Sequence, residues 1–230
     1  MSKSTTTIGA VAVLLLAATS MATSAAAAPS SPNNGTEKTI TLSANLTELN
    51  GSGASGTATA TVRNQRIVQI DVHAEGLTPD APHAQHIHYG EQALNECPTL
   101  ALDSNGDGRL NTVEGVPAYG PVVVSLTTTG DTSPASVLAV DRYPVAENGV
   151  LDYRRTNIEF TDVAGTGYSG DGGTARQIAD SIREGEGVVV IHGVDYDGDG
   201  MYSLSDEGAS ELDPSLPAEA TDPAACGVLR

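Results

Sequence analysis

The sequence predicts an all-β sandwich with long loops and one short helix. Three observations carry this. Apolar residues recur with a period of two along much of the chain. The 25 Gly and 12 Pro punctuate those repeats, and a single segment has helical spacing. In order, Ile40, Leu42, Ala44 and Leu46 alternate with polar neighbours, as do Ala58, Ala60 and Val62, then Val68, Ile70 and Val72. Alternation puts apolar side chains on one face of a strand and polar ones on the other. Turn residues at Asn50-Gly51-Ser52-Gly53 and Asn64-Gln65 separate these strands. Further strands are expected at 84–89, 119–127, 150–160 and 187–194. The helix is expected over 174–184 (TARQIADSIRE), with Ile178 and Ile182 on one face and Gly185 as its stop.

Residues 1–28 read as a secretory signal peptide. Lys3 supplies the positive end, the run 8–18 (IGAVAVLLLAA) the apolar centre, and Ala25 to Ala28 the small-residue cleavage site. That centre is too short to cross a hydrocarbon core of about 30 Å. Residues 29–36 (PSSPNNGT) read as a flexible linker and 37–230 as one domain. The expected location is therefore secreted, outside the cell or in its envelope, with no membrane attachment after cleavage. The chain has 11 Lys and Arg against 29 Asp and Glu, a net charge of −18. Such a surface repels nucleic acid and anionic lipid and attracts cations. One Phe and no Trp leave little surface for stacking sugars or bases. The two cysteines, Cys97 and Cys226, are expected to pair in an oxidising exterior.

Residues 103–114 (DSNGDGRLNTVE) match the twelve-residue calcium loop of the EF-hand. Asp103, Asn105 and Asp107 offer side-chain oxygens at positions 1, 3 and 5. Gly108 allows the turn at 6, Arg109 offers its carbonyl at 7, Asn111 stands at 9 and Glu114 at 12. Residues 195–206 (DYDGDGMYSLSD) repeat the pattern with Asp195, Asp197, Asp199, Gly200, the Met201 carbonyl, Ser203 and Asp206. Asp206 is shorter than Glu, so this second site is expected to be weaker. Calcium takes six to eight hard oxygens in a flexible shell, and this spacing gathers them round one point. Pro98 precedes the first loop and Gly115-Val116-Pro117 follows it. The expectation is thus two calcium loops on a β scaffold, without EF-hand helices, that order the chain around them.

Five histidines occur. His86 and His88 are two apart in a strand-like segment, so their rings leave on one face, and His192 ends the apolar run 188–191. Three converging imidazoles suit copper or zinc. The wording around them carries a resemblance. Glu75-Gly76-Leu77-Thr78-Pro79 followed by His83-Ala84-Gln85-His86-Ile87-His88 and Gly90 resembles the copper-binding strand of copper/zinc superoxide dismutases. Val189-Val190-Ile191-His192 resembles that family's strand with the last copper histidine, and Ala225-Cys226-Gly227-Val228 its closing strand with the partner of the disulfide cysteine. Gly120-Pro121-Val122-Val123-Val124-Ser125-Leu126 resembles the related chordin (CHRD) domain.

The resemblance implies a Greek-key β-sandwich with copper on His86, His88 and His192, a structural hydrogen-bonding role for His83, and a Cys97–Cys226 disulfide. His73 falls on the polar side of its strand and is expected to be exposed. The chain also departs from the family. No histidine lies between His88 and His192, so the bridging histidine and the zinc cluster are absent and no zinc site is expected. The two acidic loops occupy these regions, so calcium is expected to replace zinc in ordering them. Pro223 stands where the family has its active-site arginine, leaving Arg154 and Arg155 as candidate substitutes. Superoxide is an anion that needs positive potential near the metal, so weak dismutase activity is expected. The alternatives are a non-catalytic, calcium-stabilised CHRD-like binding domain and an extracellular copper-sequestering protein.

Overall fold

The computed structural model describes residues 39–166 and 173–230. The expected signal peptide and linker lie outside the described residues. Eight strands form: β1 (Thr39–Glu48), β2 (Ser55–Arg63), β3 (Arg66–Glu75), β4 (Gln85–His88), β5 (Val122–Ser125), β6 (Val150–Glu159), β7 (Val188–His192) and β8 (Pro223–Val228). Their order across the sheet is β5-β4-β7-β8-β1-β2-β3-β6, and every pairing is antiparallel. Consecutive strands part company between β3 and β4, β5 and β6, and β6 and β7. These are the long crossings of Greek-key connectivity. The sheet curls at β1, whose residues 39–46 pair with β2 while Thr47 and Glu48 pair with β8. The fold is therefore all-β and sandwich-like, as the alternation predicts.

The two halves are built differently. In β1, β2, β3 and β6 one face is apolar and buried, contributing Leu42, Leu46, Ala60, Val62, Ile70, Val72, Leu151 and Ile158 to the core. At Val68 the alternation slips. The register shifts between Thr61 and Val62, and Ile67, not Val68, is fully buried. A bulge of this kind resets the phase of a strand. By contrast β4 and β7 are buried on both faces. Val189, Ile191 and Ile87 face the main core, whereas Val188 and Val190 form a second cluster with Tyr119 and Cys226. That second face also carries the histidines.

Three short α-helices accompany the strands: α1 (Thr112–Tyr119), α2 (Ala175–Arg183) and α3 (Ala218–Thr221). Only α2 was expected. A Thr174/Gln177 capping box starts it, and it buries Ile178, Ala179 and Ile182. Helix α1 corrects the expectation that the first acidic loop lacks a following helix. Asn111 and Glu114 form a capping box, and Gly120 at φ 83° ends the helix. Pro117 forfeits one intrahelical bond. Gly115 is required for packing, because a Cβ there would lie 2.3 Å from the Tyr119 ring. The expected strand over 119–127 consequently shortens to β5.

Cys97 and Cys226 form a disulfide across a sequence separation of 129 residues, tying the segment before the first acidic loop to β8. Among the described residues no helix is long and apolar enough to cross a membrane. Closing so long a loop removes much entropy from the unfolded chain. The double substitution Cys97→Ser/Cys226→Ser is expected to lower unfolding free energy by about 4–5 kcal/mol in a denaturant titration.

Candidate metal centre

Strand register brings the three histidines together. His86 and His88 are alternate residues of β4, and His192 ends the neighbouring β7. Each is 3% exposed or less. Their ligand atoms lie within 4.8 Å of one another, and the ring centroids are 5.1–6.2 Å apart. A metal about 2.0–2.1 Å from each nitrogen needs those atoms roughly 3–4 Å apart, a spacing that the 4.8 Å limit allows.

Each ring is held by one nitrogen and leaves the other free. His88 Nδ1 donates to the Gly120 carbonyl at 2.8 Å, and His192 Nδ1 donates to the Thr221 carbonyl at 2.6 Å. His86 Nε2 meets the Tyr143 hydroxyl at 2.8 Å and the Val137 carbonyl at 3.3 Å. The opposite atoms, His86 Nδ1, His88 Nε2 and His192 Nε2, are buried with no hydrogen-bond partner. With their partners' protons fixed elsewhere, these three atoms present lone pairs to one another. A single buried orphan is a cost; three that lie this close form a group able to hold a metal ion. The donor set fits a transition metal that accepts imidazole, copper or zinc.

Neighbouring elements lock this arrangement. His83 is fully buried, and its Nδ1 bonds the His192 carbonyl at 2.8 Å. Helix α1 touches the site at both ends. Its first residue, Thr112, donates to the same Thr221 carbonyl that receives His192. Its last, Tyr119, packs on the His88 ring at a centroid distance of 4.3 Å. A cavity of about 30 Å³ opens over the histidines, walled by Val122, Val137, Leu138, Val140, Leu212 and Leu216. Among the described residues no Arg or Lys lines it. Arg154 instead pairs with Asp71, and Arg155 donates to the Thr127 and Gly130 carbonyls. His73 lies far from this chemistry, exposed on β3 and bonded to Asp152 at 2.8 Å, which raises its pKa.

The two acidic loops fold alike. In the first, Asp103 accepts from the Gly106 and Gly108 N–H groups, Asn105 from Asp107 N–H, and Asp107 from Arg109 N–H. Glu114 reaches back to Ser104 and Asn111 N–H at 2.8 and 3.2 Å. In the second, Asp195 accepts from Gly198 and Gly200, Asp197 from Asp199, and Asp199 from Met201. Here the returning carboxylate is not Asp206, which is exposed. It is the fully buried Glu219 of α3, which accepts from Tyr196 N–H at 3.3 Å and Ser203 N–H at 2.7 Å. Positions 2 and 9 of each loop thus bind one carboxylate, from Glu114 in one loop and Glu219 in the other. Asp195, Asp197 and Glu219 bring carboxylate oxygens within 4.8 Å of one another and form an acidic cluster able to bind metal. The sequence pattern missed Glu219 because it stands outside the twelve residues. The Arg109 side chain pairs with Asp222 at 2.5 Å, with Glu211 at 3.3 Å and with Asp107 of its own loop at 3.3 Å.

Burial keeps the three imidazoles neutral. Desolvation, with repulsion from His192, lowers His88 to about 3. Desolvation is the largest cause for His192, lowered to about 4, and desolvation with repulsion from His192 and His88 holds His86 well below its usual value. Because these folded-state pKa values lie below the unfolded value of 6.5, the unfolded chain takes up protons first. Stability of the metal-free protein is therefore full above pH 6.5 and falls as acid carries the pH toward about 4. Each histidine contributes a slope of about 1.4 kcal/mol per pH unit. Denaturant titrations at pH 7 and pH 5 are expected to show this loss, and His192→Gln to reduce it. Comparison with protein-family models and with curated proteins finds no match.

Proposed function

We propose that this chain is an exported, copper-binding relative of the copper/zinc superoxide dismutases and CHRD domains, holding copper on His86, His88 and His192 and calcium in its two acidic loops. The observation that carries this is the set of three buried, unpartnered imidazole nitrogens facing one another. Burial keeps them unprotonated at neutral pH, which is the form a metal requires. The ordered motifs around them, the Cys97–Cys226 disulfide and the sandwich support the family reading and an oxidising exterior. Copper rather than zinc is what the resemblance of these motifs to the copper-binding strands implies; three imidazoles by themselves accept either metal.

Bound copper would supply one-electron chemistry. The chain itself orients three neutral ligands beneath a mostly aliphatic cavity, and its described residues place there neither a cation for an anion nor an acid for a proton. Copper holding, not rapid superoxide turnover, is the function this supports. Reconstituted mature protein is expected to retain about one copper per chain by metal analysis, a content that His86→Ala abolishes. Superoxide consumption should stay near the background of free copper. Copper near zero in the wild type ends the reading, and fast superoxide consumption replaces it with dismutation.

For calcium, the reading places Asp103, Asn105, Asp107, the Arg109 carbonyl, Asn111 and Glu114 in one shell. It places Asp195, Asp197, Asp199, the Met201 carbonyl and Ser203 in the other, with Glu219 as the closing ligand. Chelation is expected to lower the melting temperature. Glu219→Gln should remove part of the calcium-dependent rise, and Asp206→Ala should leave it intact. A rise sensitive to Asp206 and not to Glu219 would restore the contiguous twelve-residue site.

A further inference from the structure

The atoms around the three histidines say more than that they bind a metal. In many metal centres the second nitrogen of a ligating histidine donates to a carboxylate, which makes the ligand more basic and adds negative charge. Here all three second nitrogens meet neutral groups: the Tyr143 hydroxyl, the Gly120 carbonyl and the Thr221 carbonyl. Tyr143 decides the orientation of one of them. Its hydroxyl lies 2.9 Å from the Ser136 carbonyl and 3.2 Å from the Val137 carbonyl. Both are acceptors only, so the single phenolic proton goes to them and a lone pair faces His86. His86 Nε2 must then carry the ring proton, an assignment that the Val137 carbonyl 3.3 Å away also requires. Nδ1 is left as the acceptor that looks into the site.

The resulting shell is three uncharged ligands backed by three uncharged acceptors, under a cavity of about 30 Å³ lined mostly by aliphatic residues, with Thr112 and Thr221 its polar residues besides the histidines. At such buried, uncharged ligands each added unit of metal charge must be stabilised without a counter-ion, and the energetic cost of a buried ion rises steeply with its charge. On this charge argument a monocation is favoured over a dication, and among the metals that imidazole suits copper is the one with a stable monocation, copper(I), which three neutral ligands hold with no further anion. The same wall disfavours anions, since among the described residues no Arg or Lys lines it, and its volume of about 30 Å³ suits a molecule of two heavy atoms.

We propose that the three-histidine centre is built for copper(I), with Tyr143 as the positioning residue that turns His86 Nδ1 to the metal, and that its cavity admits small uncharged diatomic ligands while excluding anions. This deepens the copper reading above and rests on it. Leu138 stands on the rim and is 37% exposed, so a charge can be placed there without disturbing the core.

The test uses the full mature protein loaded anaerobically with copper(I), and separately with copper(II). Three measurements are made: competition with a chelator selective for each state, the infrared band of added carbon monoxide, and the optical band of added azide. The expected result is tighter binding of copper(I), a carbon monoxide band on the copper(I) form, and no azide band on the copper(II) form at millimolar azide. Tyr143→Phe should weaken copper(I) binding by about 10–100-fold, the usual effect of losing an outer-shell partner, with circular dichroism unchanged. Leu138→Lys should let azide bind. Retention of copper in neither state sinks the copper reading itself. Copper(II) held more tightly than copper(I), or azide bound by the wild type with no carbon monoxide band, leaves copper in place and overturns the proposal. Unchanged copper(I) affinity in Tyr143→Phe removes Tyr143 from it.

Discussion

Three imidazole nitrogens stripped of water and given nothing to bond are the constraint around which this protein is organised. An unsatisfied buried acceptor costs on the order of 1–3 kcal/mol, and His86, His88 and His192 each carry one. Free rings would turn and find partners. They are prevented from doing so because every second nitrogen is already bonded, to Tyr143, Gly120 and Thr221. The fold tolerates the resulting strain because the site lies on the outer face of β4 and β7, away from the main core. The interior built by Leu42, Ile70, Leu151 and their neighbours is untouched by it.

Helix α1 is the element through which the acidic loops and the histidines meet. It begins where the first loop ends, with Glu114 serving both as capping-box partner and as the carboxylate that folds back over the loop. Its ends then hold the Thr221 carbonyl and the His88 ring. Arg109 ties the same loop to Asp222, one residue beyond Thr221, and Asn50 holds both Leu110 and the Pro223 carbonyl. The second loop reaches the site by another route. Glu219, two residues before Thr221, closes it from α3. Both loops therefore converge on residues 219–223, the stretch that fixes His192. Disorder in either loop would reach the histidines through a few hydrogen bonds rather than through the core.

Much of this was legible in the sequence, for local reasons. Strands β1, β2, β3 and β6 declare themselves because one face is wet, and wetness imposes alternation. The His-x-His pair could be placed on one face because strand geometry has a period of two. Helix α2 was visible through its amphipathic spacing and its stop at Gly185. Helix α1 was hidden because Gly115 and Pro117 argue against a helix locally. Packing of Tyr119 over Gly115 and the Asn111 cap overrode that preference. The phase slip at Val68 was invisible for a similar reason: both Ile67 and Val68 are apolar, and only pairing with Val62 decides which turns inward.

The sequence by itself determined the all-β class, the three histidines, the disulfide partners and the two acidic loops. Each is written in residue types or in spacings shorter than a dozen residues, where covalent geometry alone limits what neighbours can do. Tertiary structure decided what those parts meet. It set Glu219 opposite Asp195 and Asp197, gave His86 a neutral phenol instead of a carboxylate, and withheld Arg154 and Arg155 from the cavity over the three histidines. Such pairings join residues far apart along the chain. They follow from strand order and burial, which no local spacing encodes.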